Sequence, residues 1–435
     1  MPDQLSTPRI TIVAVYDIDI TGWNAVFPAL HSSQPVPQIE PRAQSNATIV
    51  LQTTYFNSGK PGTNRAGGKI IRMQGFIFDL METHDYENIF FCQEKTLGLK
   101  AIIAIHDTTL GPAAGGVRMW PYETEADAIN DVLRLARSMT YKCAAAGLSY
   151  GGGKCVVFGD PKRDKTEAKL RALGRFVHRL NGLFITGIDV GTNIDDMLVM
   201  RMETPYVVTV PEAWGGSGDT SQATAFGVVQ GMRACLKELY GSADLQGRTV
   251  ALQGVGAVGK HVLQYLVEAG AIVTLADIDP QRAELVATEY SAHIARPEEI
   301  HRLPVDIYCP CALGNVLNEQ TLPELRCKIV CGSANNQLGE QRHGDLLQEL
   351  GILYAPDYIV NAGGLLTGLD TLNPGGFNRQ RAMEKVSHLY DAMESVIAIS
   401  KDQKIPTYHA ADVLAEQRIA SIRQVKNLAT GNEWR

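Results

Sequence analysis

The stretch RTVALQGVGAVGKHVLQYLVEAGAIVTLAD, residues 248–277, decides the fold predicted for this chain. It begins with an apolar run at residues 248–253, which is typical of a buried strand, and continues with the glycine-rich turn GVGAVG at residues 254–259. A stripe of apolar residues at helical spacing follows, and a second apolar run, residues 271–276, ends in Asp277. This order of strand, glycine turn, helix, strand and acid predicts a doubly wound sheet that binds a dinucleotide.

The residues of the GVGAVG turn have separate geometric tasks in holding a pyrophosphate. Gly254 allows the tight turn, Gly256 lets the pyrophosphate approach the backbone, and Gly259 lets the helix pack on the strand. Ala257 and Val258 open the helix, whose first N–H groups have no intrahelical partner and can face the phosphates. We therefore predict that these five residues bind the cofactor.

Asp277 and the strands that follow it define the remainder of the predicted cofactor site. A carboxylate at the end of the second strand accepts hydrogen bonds from the adenosine ribose and repels a 2′-phosphate, so NAD is predicted over NADP. Further strands are predicted at residues 305–308, 328–330 and 352–354, each followed by a loop of small or polar residues. Such loops line the cofactor crevice of a doubly wound sheet.

A second notable stretch, MTYKCAAAGLSYGGGKCVVFG, covers residues 139–159 and sets Lys142 and Lys154 around a run of three glycines. A lysine between a glycine run and a buried strand can be desolvated, which lowers its pKa towards neutrality and allows it to act as a base. Lys154 is therefore the first candidate catalytic residue. The alternative is a solvated lysine after a flexible turn.

Two further features accompany these lysines. Residues 111–116 (GPAAGG) are predicted to form a glycine turn whose free N–H groups could receive an anion. Asp189 follows the predicted strand at residues 183–186, where it could meet Lys154 in a cleft. The structural alternative for Asp189 is a helix N-cap or turn residue.

The composition is that of an ordinary soluble protein. The 435 residues have a formal net charge of −7 and 20% charged residues, with no basic block that would indicate nucleic-acid binding. No apolar run reaches the roughly 20 residues of a membrane span. The eight cysteines include no CxxC pair, which favours reduced structural thiols in a cytoplasmic protein. The closely spaced Cys309 and Cys311 are also interpreted as structural thiols rather than as metal ligands.

The predicted organisation is a two-domain α/β protein. Residues 1–72 read as a poorly ordered extension, or as sequence upstream of a start near Met73, with a small accessory module as the alternative. Residues 73–218 form the first α/β domain, and a glycine-rich linker at residues 215–221 leads into a Rossmann-type domain at residues 219–370. Residues 371–435 are predicted to be C-terminal helices.

The chain resembles the amino-acid dehydrogenase family that includes leucine, phenylalanine, valine and glutamate dehydrogenases, and most of all its leucine and phenylalanine members. The resemblance extends over about residues 76–423. It is carried by residues 100–116 (KAIIAIHDTTLGPAAGG), 139–154, 189–192 (DVGT), 224–227 (TAFG), 254–259, 310–314 (PCALG), 334–337 (ANNQ) and 361–364 (NAGG).

This resemblance implies a role for each matching residue. Lys142 would bind the substrate carboxylate, together with the N–H groups of Gly115 and Gly116 and with Asn361. Lys154 would activate water, and Asp189 would exchange protons with the substrate amine. The cofactor residues implied by the family are Thr224, Ala312 and Asn335, beside the glycine turn. The implied reaction is oxidative deamination of an L-amino acid to a 2-oxo acid and ammonia, by a homo-oligomer whose first domain builds the assembly and binds the substrate.

The same resemblance bears on the substrate side chain. Ala114 stands where leucine dehydrogenases usually carry leucine, and Gly187-Ile188 replaces an Ala-Glu pair, while Met139 remains on one wall. A larger apolar pocket favours phenylalanine or tryptophan as substrate, because a missing methylene changes the discrimination between two substrates by about 1–3 kcal/mol.

Two other classes of protein are alternatives for this sequence. One is an inactive NAD-binding scaffold or regulator, which would have no need of Lys142, Lys154 and Asp189 together. The other is a different Rossmann oxidoreductase such as a malic-enzyme-like protein, which would need metal-binding carboxylates beside the lysine; no such cluster, and hence no metal site, is predicted.

Overall fold

A computed structural model describes residues 76–426 of the chain. Two β-sheets, both within one compact unit, organise this part of the protein. The predicted extension at residues 1–72 lies outside the described residues.

The first sheet has five strands in the order β1-β2-β4-β3-β5. Its strands are β1 (Asn88–Glu94), β2 (Leu99–Asp107), β3 (Ala113–Trp120), β4 (Gly151–Phe158) and β5 (Phe184–Ile188). Strands β1, β2 and β4 pair antiparallel, whereas β3 runs parallel to both β4 and β5. The parallel arrangement sets the start of β4 beside the start of β3 and the end of β5 beside Val117 in the middle of β3.

Helices cover both faces of this sheet. They are α1 (Phe76–Thr83), α2 (Glu125–Ala145), α3 (Glu167–Arg179) and α4 (Ile194–Arg201). Helix α2 buries the apolar stripe Ile129, Val132, Leu133 and Ala136 against β2 and β4. Helix α4 begins after the N-cap Asn193, so the N-cap alternative for Asp189 is wrong.

The glycine turn predicted at residues 111–116 is confirmed only at its start, where Gly111 N donates to the Thr108 carbonyl oxygen, and the flexible turn given as the alternative before Lys154 is wrong. Gly115 and Gly116 lie inside β3, and the run of three glycines forms the start of β4. The reason is close packing: a Cβ on Gly115 would lie 1.7 Å from the Gly153 carbonyl oxygen, and one on Gly152 would lie 2.1 Å from the Thr140 nitrogen of α2. Pairing of β3 with β4 is interrupted at Gly115 and Gly116.

The second sheet confirms the doubly wound prediction. Six parallel strands lie in the order β11-β10-β9-β6-β7-β8. They are β6 (Thr249–Gln253), β7 (Ile272–Ala276), β8 (His293–Ile294), β9 (Ile307–Pro310), β10 (Ile329–Val330) and β11 (Leu353–Tyr354). The order reverses at β6, and the loops after β6 and β9 therefore flank the crevice in which such sheets bind their ligands.

Helices pack on both sides of the second sheet and complete the chain. They are α5 (Ser221–Tyr240), α6 (Ala257–Glu268), α7 (Pro280–Tyr290), α8 (Arg342–Glu349), α9 (Asp357–Val360), α10 (Gly363–Asp370), α11 (Arg379–Ser387), α12 (Leu389–Gln403) and α13 (Thr407–Lys426). Short 3-10 turns occur at Glu212–Trp214, Ile300–Arg302 and Leu322–Glu324. The largest buried cluster joins β6, β7, α5, α6 and α12.

All eight cysteines are free thiols. No helix within residues 76–426 is both long and apolar enough to cross a bilayer.

Candidate active site

A cavity of about 420 Å³ lies between the two sheets. One wall is formed by β3, β4, β5 and the end of α2, and the other by the starts of α5, α6 and α10 and by loop residues near Asn335 and Asn361. The cavity brings together twelve of the residues singled out from the sequence: Ala114, Gly115, Gly116, Met139, Lys142, Lys154, Gly187, Asp189, Thr224, Val258, Asn335 and Asn361.

Lys154 and Asp189 form an ion pair at the centre of this cavity. The Lys154 Nζ atom lies 2.9 Å from Asp189 Oδ2, and the lysine is buried, with 6% of its surface exposed. Lys154 sits in β4 and Asp189 directly follows β5, so the parallel strands between them fix their distance. The alternative of a solvated Lys154 after a flexible turn is therefore wrong.

The charge on Asp189 is stabilised despite its burial. Burial alone would raise the pKa of this carboxyl group, but the positive charges of Lys154 and Arg118 outweigh it and hold the pKa below its usual value. Asp189 is therefore a carboxylate at neutral pH.

Lys142 lies in the last turn of α2 and faces the second half of the chain. Its Nζ atom donates to Asn361 Oδ1 at 2.6 Å, and the Asn361 amide nitrogen donates to Asn335 Oδ1 at 2.8 Å. Burial lowers the pKa of Lys142 to about 8; the nearby Asp357 opposes this shift and Lys154 adds to it. At neutral pH a lysine with this pKa is mostly protonated, and an incoming carboxylate would stabilise the protonated form further.

Two charged residues of the site were missed by sequence reasoning. Arg118 donates from Nε to Asp189 Oδ2 at 3.0 Å, and Asp357 lines the cavity beside Lys142, with a pKa that burial raises. Arg118 is the one charged residue of β3, whose other residues are apolar or glycine. That isolated charge was a signal that could have drawn attention to it.

The part of the cavity away from the charged groups is lined by small and apolar residues. Gly187 and Gly368 face the same partners, since a Cβ on either would lie 3.1 Å from a Thr209 side-chain atom. Gly368 of α10 was also missed, because nothing local in the sequence places this helix against β5. Further apolar lining comes from Ile185, Val208, Leu365 and Leu369.

The glycine-rich turn has the geometry expected of a dinucleotide site. A Cβ on Gly256 would meet no atom within 4 Å, whereas one on Gly259 would lie 2.0 Å from the Gly254 carbonyl oxygen, so Gly256 is open and Gly259 is packed. Helix α6 begins at Ala257 with no side chain capping its N–H groups. These residues fit a bound pyrophosphate.

The remaining predicted cofactor residues lie outside the central cavity. Gly256 and Ala257 line a second, more open cavity of about 910 Å³, and Ala312 packs against Gly254. Asp277 is buried, and its two carboxylate oxygens accept from Val255 N and Asp279 N, each at 2.9 Å. Its contact with a ribose stays a prediction.

The fold and this site define a dinucleotide-dependent oxidoreductase with a lysine–carboxylate centre between two α/β sheets. The family model "Glu/Leu/Phe/Val dehydrogenase, dimerisation domain" matches residues 89–206, and "Glutamate/Leucine/Phenylalanine/Valine dehydrogenase" matches residues 215–281 and 272–426. The chain therefore belongs to the Glu/Leu/Phe/Val dehydrogenase family, and it is an NAD-dependent amino-acid dehydrogenase.

Individual relatives agree with this assignment. The chain is 52% identical to leucine dehydrogenase of Geobacillus stearothermophilus over 81% of this chain and 95% of that one. It is 46% identical to phenylalanine dehydrogenase of Thermoactinomyces intermedius over 81% and 96% of the two chains. The solved structure of L-tryptophan dehydrogenase from Nostoc punctiforme is similar with a TM-score of 0.72 and 42% identity, over 80% of this chain and 99% of that one.

Proposed function

We propose that this protein catalyses the NAD-dependent oxidative deamination of an apolar L-amino acid, with an aromatic side chain preferred, to its 2-oxo acid and ammonia. The observation that carries the proposal is the Lys154–Asp189 pair, which shares one cavity with Lys142 and with Val258 of the glycine-rich turn.

Substrate orientation is assigned to Lys142 and its neighbours. The Lys142 ammonium group, already hydrogen bonded to Asn361, pairs with the substrate carboxylate, and the N–H groups of Gly115 and Gly116 assist it. The pairing of β3 with β4 is interrupted at these glycines, although both stay in register with β5. The substrate Cα is thereby held beside Lys154 and Asp189.

The proton transfers are assigned to the central ion pair. Asp189 takes a proton from the substrate ammonium group, and a nicotinamide bound beside it would supply the hydride acceptor for Cα. Lys154 loses its proton to solvent when the substrate binds, and the neutral amine then takes up the proton that a water molecule loses as its oxygen attacks the iminium carbon. Asp189 returns its proton to the nitrogen of the resulting carbinolamine and then takes the hydroxyl proton as the C–N bond breaks, which releases ammonia and the 2-oxo acid.

Cofactor contacts are assigned on both sides of the cavity. Thr224 and Asn335 hold the nicotinamide carboxamide, the residues of the glycine-rich turn with Ala312 hold the pyrophosphate, and Asp277 binds the adenosine ribose. The exposed backbone at Gly256 and the uncapped start of α6 support this orientation.

The aromatic preference is proposed from the shape of the side-chain pocket. Ala114, Gly187 and Gly368 leave space beside the apolar residues Met139 and Leu365. The relatives named above act on leucine, phenylalanine and tryptophan, as their names state. No cationic residue lines the apolar part of the cavity among the described residues, which argues against glutamate.

The decisive experiment follows NADH formation with each of the twenty L-amino acids, repeated with NADP. Phenylalanine or tryptophan should be turned over at least as well as leucine; a preference for leucine or valine above tenfold in kcat/KM would reject the aromatic preference. Lys154→Ala should lower kcat by at least about 100-fold and leave NADH binding unchanged. The exposed Lys162→Ala is the matched control.

Adding bulk at Gly368 tests the proposed pocket directly. Gly368→Val should lower the ratio of kcat/KM for phenylalanine to that for leucine by about tenfold, because the new methyl groups occupy space next to Thr209. An unchanged ratio in a folded variant would show that the substrate side chain lies elsewhere.

We also propose a cytoplasmic homo-oligomer. The match of residues 89–206 to a dimerisation-domain model and the eight free thiols support this proposal. The scaffold alternative is not favoured, because the Lys154–Asp189 contact and the Lys142–Asn361 contact are both formed.

A further inference from the structure

The Asp189 carboxylate is shared by two cations. Its Oδ2 atom lies 2.9 Å from Lys154 Nζ and 3.0 Å from Arg118 Nε. Arg118 reaches it from β3 and Lys154 from the neighbouring strand β4, so the carboxylate is approached from two adjacent strands. Lys142 of α2 is a third positive charge that acts on Asp189.

Arg118 is held in place at its other end. Its Nη1 atom pairs with Asp131 Oδ2 at 3.1 Å, and Asp131 also accepts from the Tyr122 hydroxyl and from Arg134 Nη2, each at 2.7 Å. The Arg118 and Asp131 side chains are largely buried, with 18% and 17% exposed. Moving the guanidinium would remove one cationic partner from each of two largely buried carboxylates, Asp131 and Asp189, which is costly.

The two cations therefore differ in what they can do during turnover. Under the proposed mechanism Lys154 has to engage water and the reacting carbon, and it must then weaken its bond to Asp189. Arg118 has no such task and keeps its second contact with Asp131. An arginine, which carries five donors in a fixed plane and stays protonated, can bridge two carboxylates at once.

We propose that Arg118 is a positioning residue, whose guanidinium keeps the Asp189 carboxylate in place and charged while Lys154 turns to the substrate. The inference rests on the proposed function. Without Arg118, Lys154 is the remaining close partner of Asp189. Lys154 is then held more firmly in the resting ion pair. When that pair does open, no other cation keeps the Asp189 carboxylate in its orientation.

The test compares Arg118→Met and Arg118→Lys in the full chain. The methionine variant should lower kcat at least tenfold while the KM for NAD stays within twofold. The lysine variant should recover part of kcat, because it restores a charge next to Asp189 but cannot also reach Asp131. Arg163→Met, which removes an exposed ion pair with Asp160 outside the cavity, is the matched control and should leave kcat unchanged.

A double-mutant cycle separates positioning from a general structural effect. Because Arg118 acts through Asp189, Arg118→Met should reduce kcat by less than twofold when it is added to Asp189→Asn. The same loss in both backgrounds, or a folded Arg118→Met with wild-type kcat, would overturn the inference.

A further variant covers the case in which Arg118→Met does not fold. Asp131→Asn leaves Arg118 present but weakens its anchor, and should lower kcat by several-fold with an unchanged KM for NAD. Wild-type kcat in this folded variant would count against the inference. Absence of turnover by the wild-type protein with every amino acid would instead reject the proposed function itself.

Discussion

At the scale of single residues, Lys142 shows how burial changes the chemistry of one side chain. Its pKa falls to about 8, from the usual lysine value of 10.5, because its ammonium group is removed from water and the opposing charge of Asp357 compensates only in part. A substrate carboxylate beside Lys142 would raise this pKa again. Carboxylate binding and proton binding at Lys142 are therefore linked.

This linkage predicts how carboxylate affinity depends on pH. Lys142 is a cation below pH 8 and loses its charge above it, so a competitive inhibitor with a carboxylate and no amine should bind more weakly as the pH rises above about 8. The inhibition constant should increase by up to about tenfold per pH unit. The Lys142→Met variant should bind this inhibitor weakly at all pH values, and the Lys162→Met variant should bind it as the wild type does.

At the scale of secondary-structure elements, α2 and α13 form a contact that supports Lys142. Arg418 of α13 donates to the Ala144, Gly147 and Leu148 carbonyl oxygens at 2.8–2.9 Å. The last carbonyls of a helix have no intrahelical donor, and the C-terminal end of its dipole favours a positive charge. Arg418 therefore caps the helix turn that carries Lys142.

Removing this cap should affect both stability and substrate binding. Arg418→Met should lower the free energy of unfolding by about 2 kcal/mol, because partly buried carbonyls lose charged hydrogen-bond donors. It should raise the KM for the amino acid more than the KM for NAD. Thermal unfolding and steady-state kinetics measure both effects.

A surface ion pair provides the comparison for Arg418. Lys401→Met breaks the exposed contact with Glu238 and should change stability by less than about 1 kcal/mol. Equal losses in the two variants would show that the Arg418 cap contributes no more than an ordinary surface pair.

At the scale of the whole molecule, the first sheet has an open edge. Within the described residues β1 pairs with β2 alone, and Phe91 on β1 is 55% exposed. An exposed strand edge with an aromatic residue is suited to pairing with another chain. This feature lies in the region that matches the dimerisation-domain model.

A charge at this edge should weaken the proposed self-association. Phe91→Lys should shift the protein to smaller species in sedimentation velocity at micromolar concentration, because lysines oppose edge pairing. Lys100→Gln on β2, opposite Gln93 of β1, is the comparison. An unchanged sedimentation coefficient for Phe91→Lys would locate the interface elsewhere.

Much of the architecture followed from local patterns in the sequence. The order of strand, glycine turn, helix, strand and acid around residues 254–259 predicted the parallel sheet, since each step is specified by neighbouring residues. Lys154 and Asp189 were singled out from their places beside a glycine run and after a predicted strand, and Lys142 received its role from the family resemblance; all three line one cavity. The predicted domain boundaries and residue roles remain predictions.

The features that local patterns did not reveal depend on contacts between distant residues. Glycines 151–153 form the start of a strand rather than the flexible turn given as the alternative for Lys154, and α2, β2 and β5 approach them too closely for any side chain. Arg118 joins the site through Asp189, 71 residues along the chain, and Gly368 joins it through Thr209. Local periodicity determined the elements of this protein, but the packing of β3, β4 and β5 decided which side chains meet, because burial and charge pairing arise only when those strands come together.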